Sequence, residues 1–437
     1  MGVRHWTNTD LNVNEIGADM SGRSFAQKIL SRASGCNAEV GETVVAKVDL
    51  AMSHENAALV STKFKEIGAE KLWDPSKVVL IFDHRIPANT VSAAEGHKTV
   101  RRFAEDEGIA NFYCHGEGIC HQVLPEKGHV LPGSLIVGSD SHTTTYGAFG
   151  AFATGIGATE MAAVWATGEL WFRVPDTLKV RAENEIPDHC MSKDLILRAI
   201  GDLGADGADY RCVEYVGGAV DGMSVSSRMV LSNMAIEMGA KAGVCFPDAR
   251  TREYLASRDA TGGEEVFSDG DLVCDEHIID CDDLVPLVAA PHSVDNVHPA
   301  AELSDLCIDQ AVLGSCTNGR LEDLHAAASL LRGRQIPKGV RLIVVPASRE
   351  VQLDAMEDGT IAALMSSGAI VTNPGCGPCL GAHQGILASG ERAIATTNRN
   401  FRGRMGSPDA EVFLASPLTV AASALTGRIT DPREVMG

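Results

Sequence analysis

Ala311-Val312-Leu313-Gly314-Ser315-Cys316-Thr317-Asn318 reads as a buried strand that runs out on a glycine and delivers a thiol at its end. An unbroken apolar run closed by turn formers suits a strand covered on both faces. Side chains just past it sit at the carboxyl edge of a sheet, where open α/β sheets usually bind ligands. The plan recurs along the chain. Residues 77–82 (Lys-Val-Val-Leu-Ile-Phe) lead into Asp83-His84, and residues 134–137 (Ser-Leu-Ile-Val) lead into Gly138-Ser139-Asp140-Ser141-His142. Residues 340–345 (Val-Arg-Leu-Ile-Val-Val) also end on polar punctuation, followed by a helical pattern. Short β-branched runs alternating with amphipathic helices predict α/β layers.

Three breaks divide the chain. Around Val174-Pro175-Asp176 a helix, read from Glu160 to Leu170, gives way to a new strand. Residues 258–275 read as a surface loop, and a Pro/His/Asn-rich stretch from His292 to Leu303 precedes the run at 311–313. The expected domains are 1–175, 176–300 and 301–437, three α/β units. The glycine-dense segment 147–157 lacks a Walker lysine, so its glycines are read as close backbone packing around a site rather than a phosphate loop.

Bulk properties narrow the function. With 437 residues, 45% hydrophobic and 22% charged, the chain has ample material for several cores. Lys plus Arg number 37 against 58 Asp plus Glu, a formal net charge of −21, which disfavours nucleic-acid and membrane-surface partners. It leaves room for an anionic substrate held by a few arginines in a cleft. The start, Met-Gly-Val-Arg-His-Trp-Thr, lacks the plan of a signal peptide, no apolar run is long enough to span a bilayer, and the expected setting is the cytoplasm.

Twelve cysteines are scattered rather than stapled into a mini-domain. Cys376-Gly377-Pro378-Cys379 is a CxxC bracketed by turn residues, which alone fits zinc, a redox disulfide or a cluster. Cys316 is its partner by setting, and no fourth cysteine occupies a comparable one. Three thiolates suit a cubane cluster with one iron left open for water or substrate, whereas an electron carrier would close its cluster with a fourth ligand. Zinc and buried structural cysteines stay open on spacing alone.

Gly-Ser-Cys-Thr-Asn-Gly-Arg at 314–320, Gly-Cys-Gly-Pro-Cys-Leu-Gly at 375–381 and Asn-Arg-Asn-Phe-Arg-Gly-Arg at 398–404 resemble the signatures of the aconitase superfamily, in family order. With the upstream motifs the resemblance covers nearly the whole chain. It implies a 4Fe–4S cluster on Cys316, Cys376 and Cys379, with one iron not ligated by cysteine. It implies catalytic roles for Asp83, His84, His121 (in Gly-Ile-Cys-His-Gln at 118–122), Asp140, His142 and Glu237. It assigns substrate contacts to Ser141, Asn233, Arg399 and Arg404, while Arg402 falls on a variable position. Asn233 and Glu237, spaced i and i+4, are expected on one helix face.

The implied reaction removes water from a hydroxy dicarboxylic or tricarboxylic acid and adds it back. The family's mobile swivel domain, with its serine base, is expected on a separate small subunit that also sets specificity. Val-Leu-Pro-Glu-Lys-Gly-His at 123–129 resembles the archaeal-type branch, where isopropylmalate is the favoured substrate and homoaconitate and dimethylmalate are alternatives. Rival classes are a redox iron–sulfur protein, an RNA-binding regulator and a zinc hydrolase.

Overall fold

Parallel strands buried on both faces organise the molecule. The computed structural model describes residues 22–436, and the amino-terminal stretch read above for a leader lies outside the described residues. A five-stranded parallel sheet runs in the order Phe112–Tyr113, Val78–Ile81, Leu50–Ser53, Leu135–Gly138, Phe152–Gly155. The three central strands are buried at every residue, as expected for a sheet covered by helices on both sides. A four-stranded parallel sheet follows in the order Ala242–Cys245, Cys212–Val216, Thr177–Glu183, Asp275–Asp280.

The third large sheet has seven strands, with Gln310–Gly314 between Arg392–Ala395 and Arg341–Val345. Its edge strand Val297–Pro299 pairs antiparallel with Leu287–Ala289, which pairs antiparallel in turn with Glu411–Ala415, so this sheet begins before residue 300. The architecture is α/β throughout. Among the described residues no helix is long and apolar enough to cross a membrane.

Two local readings differ. The helix expected to reach Leu170 is Ala158–Thr167, closed by Gly168 in the left-handed conformation (φ +74°). Glu169–Arg173 is instead a strand, alternately exposed and buried, paired antiparallel with Thr43–Lys47. A period of two at Glu-Leu-Trp-Phe-Arg outweighed the continuing apolar run. Helix Val225–Met234 likewise tightens into a 3₁₀ turn at Ala235–Met238, so Asn233 and Glu237 do not share a continuous α-helical face. Both are buried and both face the same site.

Two glycines let neighbouring strand ends within a sheet approach closely. A Cβ on Gly155 would lie 2.6 Å from the Asp140 carbonyl oxygen, and one on Gly314 would lie 2.0 Å from that of Val345. Gly314 also takes φ +136°, closed to other residues, before Ser315 turns left-handed at φ +70°. The chain thereby swings Cys316 off the strand end into the space between sheets.

Candidate active site

Strand ends from the five- and seven-stranded sheets face one another across a cavity of about 250 Å³. Cys316, Cys376, Cys379, Arg399 and Arg404 line one side, and His84, His121, Asp140, Ser141 and His142 line the other. Asp83, Asn233 and Glu237 stand behind this wall. All thirteen residues singled out from the sequence therefore converge. A larger cavity of about 560 Å³ near Met191, Met223 and Glu322 contains none of them.

The three thiols are free and buried. Cys316 lies in the short helix Ser315–Asn318 that follows strand Gln310–Gly314, while Cys376 opens and Cys379 lies within a 3₁₀ turn at Gly377–Leu380. Nitrogen donors are aimed at the sulfurs: Asn233 Nδ2 at 3.4 Å and Asn398 Nδ2 at 3.3 Å from Cys316 Sγ, and Arg404 Nη2 at 3.6 Å from Cys379 Sγ. The hydrogen bond from Cys376, with Arg404 beside it, holds the Cys379 thiol well below its ordinary range despite burial. Cys376 is pushed up, first by that same bond and then by burial, and burial likewise raises Cys316. Soft donors with N–H groups pointed at sulfur suit an iron–sulfur cluster, so the residues fit that group.

Beneath Cys316, the fully buried Arg320 donates Nη2–H to the Cys316 carbonyl at 2.9 Å and Nη1–H to that of Thr317 at 2.6 Å. Its Nε–H reaches Gln122 Oε1 at 3.0 Å, tying the cysteine turn to the His121 helix. Cys120, absent from the sequence-derived site, packs in the same buried cluster as the three cysteines. Burial first, then the Asp83 and Asp140 carboxylates, push its thiol far up, and unlike the other three it does not line the cavity.

Opposite the thiols, one carboxylate gathers three imidazoles. Asp140 Oδ1 lies 2.9 Å from His121 Nε2 and accepts the His142 backbone N–H at 2.8 Å, while Oδ2 lies 3.4 Å from His84 Nε2. Burial would raise the Asp140 pKa, but the hydrogen bonds from His121, His142 and His84 outweigh it and hold the carboxyl well below its ordinary range. His84 Nδ1 sits 2.6 Å from Asp83 Oδ1. Burial pulls His84 down, yet Asp83 and Asp140 together raise it well above an ordinary histidine. At His121 burial wins and the ring stays neutral.

His142 Nε2 lies 2.9 Å from Glu237 Oε1, which also accepts Arg399 Nε–H at 2.9 Å. Burial opposes both charges in the His142–Glu237 pair, but hydrogen bonding raises the histidine and lowers the glutamate. Charged donors thus face the thiols across a space sized for a small polyanion. Such a site can hold carboxylates, protonate a leaving oxygen and stabilise developing charge.

Sequence reading missed four supporting residues besides Cys120. Glu55 accepts the backbone N–H groups of Asp83, His84 and Arg85 at 3.0, 2.9 and 2.7 Å, fixing the Asp-His turn. His54 stacks on His84 with ring centroids 4.3 Å apart and lines the cavity. Both follow strand Leu50–Ser53, the same strand-end signal that marked Asp83. Asn398 and Arg320 stood inside quoted motifs without an assigned task.

With this geometry in view, the chain belongs to the aconitase family, whose profile, described as aconitate hydratase, matches residues 27–305 and 288–427. It is therefore a hydro-lyase, and membership implies an iron–sulfur cluster. One relative, the 3-isopropylmalate dehydratase large subunit 1 of Methanopyrus kandleri, is 55% identical over 94% of this chain and 99% of its own length. The probable methanogen homoaconitase large subunit of Methanothermobacter thermautotrophicus is 50% identical over 95% and 98%. The 3-isopropylmalate dehydratase large subunit of Moorella thermoacetica is 47% identical over 95% and 100%. These relatives are large subunits, which implies a small-subunit partner.

Proposed function

We propose that this chain is the large subunit of a 3-isopropylmalate dehydratase, interconverting 2- and 3-isopropylmalate on the route to leucine. The single observation that carries the reading is the convergence on one cavity of three thiols from two turns with three histidines around one carboxylate. Cys316, Cys376 and Cys379 hold a 4Fe–4S cluster in which one iron lacks a cysteine ligand. Bound there, the cluster supplies Lewis acidity at the substrate hydroxyl.

The chain's own residues do the rest. Arg399 and Arg404 bind substrate carboxylates, with Glu237 orienting Arg399 and Ser141 and Asn233 completing the cradle. Protonated His84, kept charged by Asp83 and Asp140, gives its proton to the departing hydroxyl. His121, neutral, holds Asp140 in place. The small subunit supplies the serine base that takes the carbon-bound proton, and it sets side-chain specificity. Re-addition of water reverses these transfers with the hydroxyl on the neighbouring carbon.

Three α/β units, 1–175, 176–300 and 301–437, frame the cleft. The sequence ranges of the three large sheets support this division, with the strands Leu287–Ala289 and Val297–Pro299 crossing the second boundary. Twelve cysteines, all free, support a cytoplasmic setting.

Homoaconitase is the second reading, favoured by the 50% identity to the methanogen large subunit. Anaerobic co-expression with the small subunit, followed by hydration assays on isopropylmaleate, homoaconitate, cis-aconitate, dimethylmaleate and citraconate, separates them. Turnover of isopropylmaleate that depends on the small subunit is expected. Turnover of homoaconitate instead would transfer the assignment, and no turnover from a cluster-replete complex would reject both.

A further inference from the structure

Lys193 is a fully buried charge outside the site already described. It is 0% exposed on helix Ser192–Leu203, and among the described residues no carboxylate lies within salt-bridge or hydrogen-bond distance of it. Its neighbour Asp194 is occupied elsewhere, accepting the backbone N–H groups of Met191 and Leu287 at 2.8 and 2.9 Å. Nζ instead donates to the carbonyls of Thr396 and Thr397 at 2.9 and 2.7 Å. A buried ammonium held only by neutral carbonyls is costly unless an anion lies close by.

Those two carbonyls sit between the strand and the site. Thr396 is clamped to Gly314, accepting its N–H at 2.9 Å, and Gly314 leads directly to Cys316. Thr397 leads into Asn398, which donates to Cys316 Sγ, and Arg399, which binds Glu237. Burial depresses the lysine to about 7, and the charges that oppose this most are the thiolate forms of Cys316 and Cys379, followed by the carboxylates of Glu237 and Asp323.

We infer that Lys193 is a positioning residue whose ammonium is the resident counter-charge of the three-cysteine cluster and the clamp that seats Asn398 and Arg399. The inference rests on the cluster reading above. Two consequences have opposite signs in the two states of the protein. With the cluster in place, the positive charge favours the reduced form, because cluster potential follows local charge. With the cluster removed and the thiols protonated, the same charge loses the anions that oppose its burial most and burdens the fold.

The test uses the full chain with its small subunit, reconstituted anaerobically, and compares wild type with Lys193→Gln and Lys193→Arg. Gln keeps N–H donors for the two carbonyls and removes the charge, whereas Arg keeps the charge. An EPR-monitored redox titration should find reduction of the K193Q cluster about tenfold less favourable, ~59 mV for one electron, and that of K193R within about twofold of wild type. Urea unfolding of the metal-free chain should give a higher midpoint for K193Q than for wild type. If K193Q yields no folded chain, Lys193→Met carries the same two comparisons.

A fully loaded K193Q protein with wild-type potential overturns the inference, and so does a neutral variant whose metal-free form is less stable than wild type. Wild type that assembles no cluster overturns the cluster reading itself, and the inference with it.

Discussion

Glu126 offers a prediction that can be worked through from local geometry. It is 8% exposed on helix Cys120–Glu126, one step behind the turn that carries Cys316. Its Oε1 accepts Gln122 Nε2–H at 2.8 Å and the Ser348 hydroxyl at 2.7 Å, and Gln122 in turn accepts from Arg320. Burial raises its carboxyl from 4.5 to about 7, against the two hydrogen bonds that favour the anion. In the unfolded chain the group ionises near 4.5, so between 4.5 and about 7 the unfolded state binds fewer protons than the fold. Stability therefore falls as pH rises through that window and stays lower above it. At about 1.4 kcal/mol per pKa unit the full loss is about 3 kcal/mol.

Glu126→Gln keeps the acceptor for Gln122 and Ser348 and removes the titration. Urea unfolding of the metal-free chain, compared with wild type, should find E126Q close to neutral near pH 4.5. By pH 8 it should be more stable by up to about 3 kcal/mol. A stability difference that is the same at both pH values would show that Glu126 ionises normally in the fold. The assumed dryness behind the cysteine turn would then be wrong.

Asp140→Asn removes one of the two carboxylates that keep His84 charged, and kcat/KM should fall by about 10²–10⁴-fold. The acid form is lost as pH rises through the raised His84 value, so the alkaline limb of the pH profile should move to lower pH; an unmoved limb contradicts the assignment. Arg399→Lys keeps the charge but not the fork, and kcat/KM should drop by about 10- to 100-fold while cluster iron is unchanged. Cys379→Ser should lose cluster iron and sulfide, whereas Cys120→Ser, outside the cavity lining, should keep both, as measured by elemental analysis of anaerobically purified protein.

Part of the site was legible from one rule, that site residues follow short apolar strands, while His121, Asn233, Glu237 and the two arginines rested on the resemblance of their motifs. Asp83 after Val78–Ile81, Asp140 and His142 after Leu135–Gly138, and Cys316 after Gln310–Gly314 all sit at carboxyl ends, and periodicity finds those strands. His54 and Glu55 obey it too, but Leu50–Ser53 carries no β-branched residue, so its strand signal is weak. Lys193 and Glu126 were opaque for another reason. A charged residue near a helix end reads as solvated, and only packing from a distant sheet buries Lys193 against Thr396. The strand at Glu169–Arg173 was hidden by an apolar helix that precedes it and by a partner, Thr43–Lys47, far away in the chain.

The most direct test of the central claim is an EPR and Mössbauer comparison of the anaerobically reconstituted large–small complex with and without isopropylmalate. A 4Fe–4S cluster is predicted, with one iron site, and only one, shifting when the substrate binds. A protein loaded with zinc, or a cluster whose spectrum ignores saturating substrate while turnover proceeds, would contradict it.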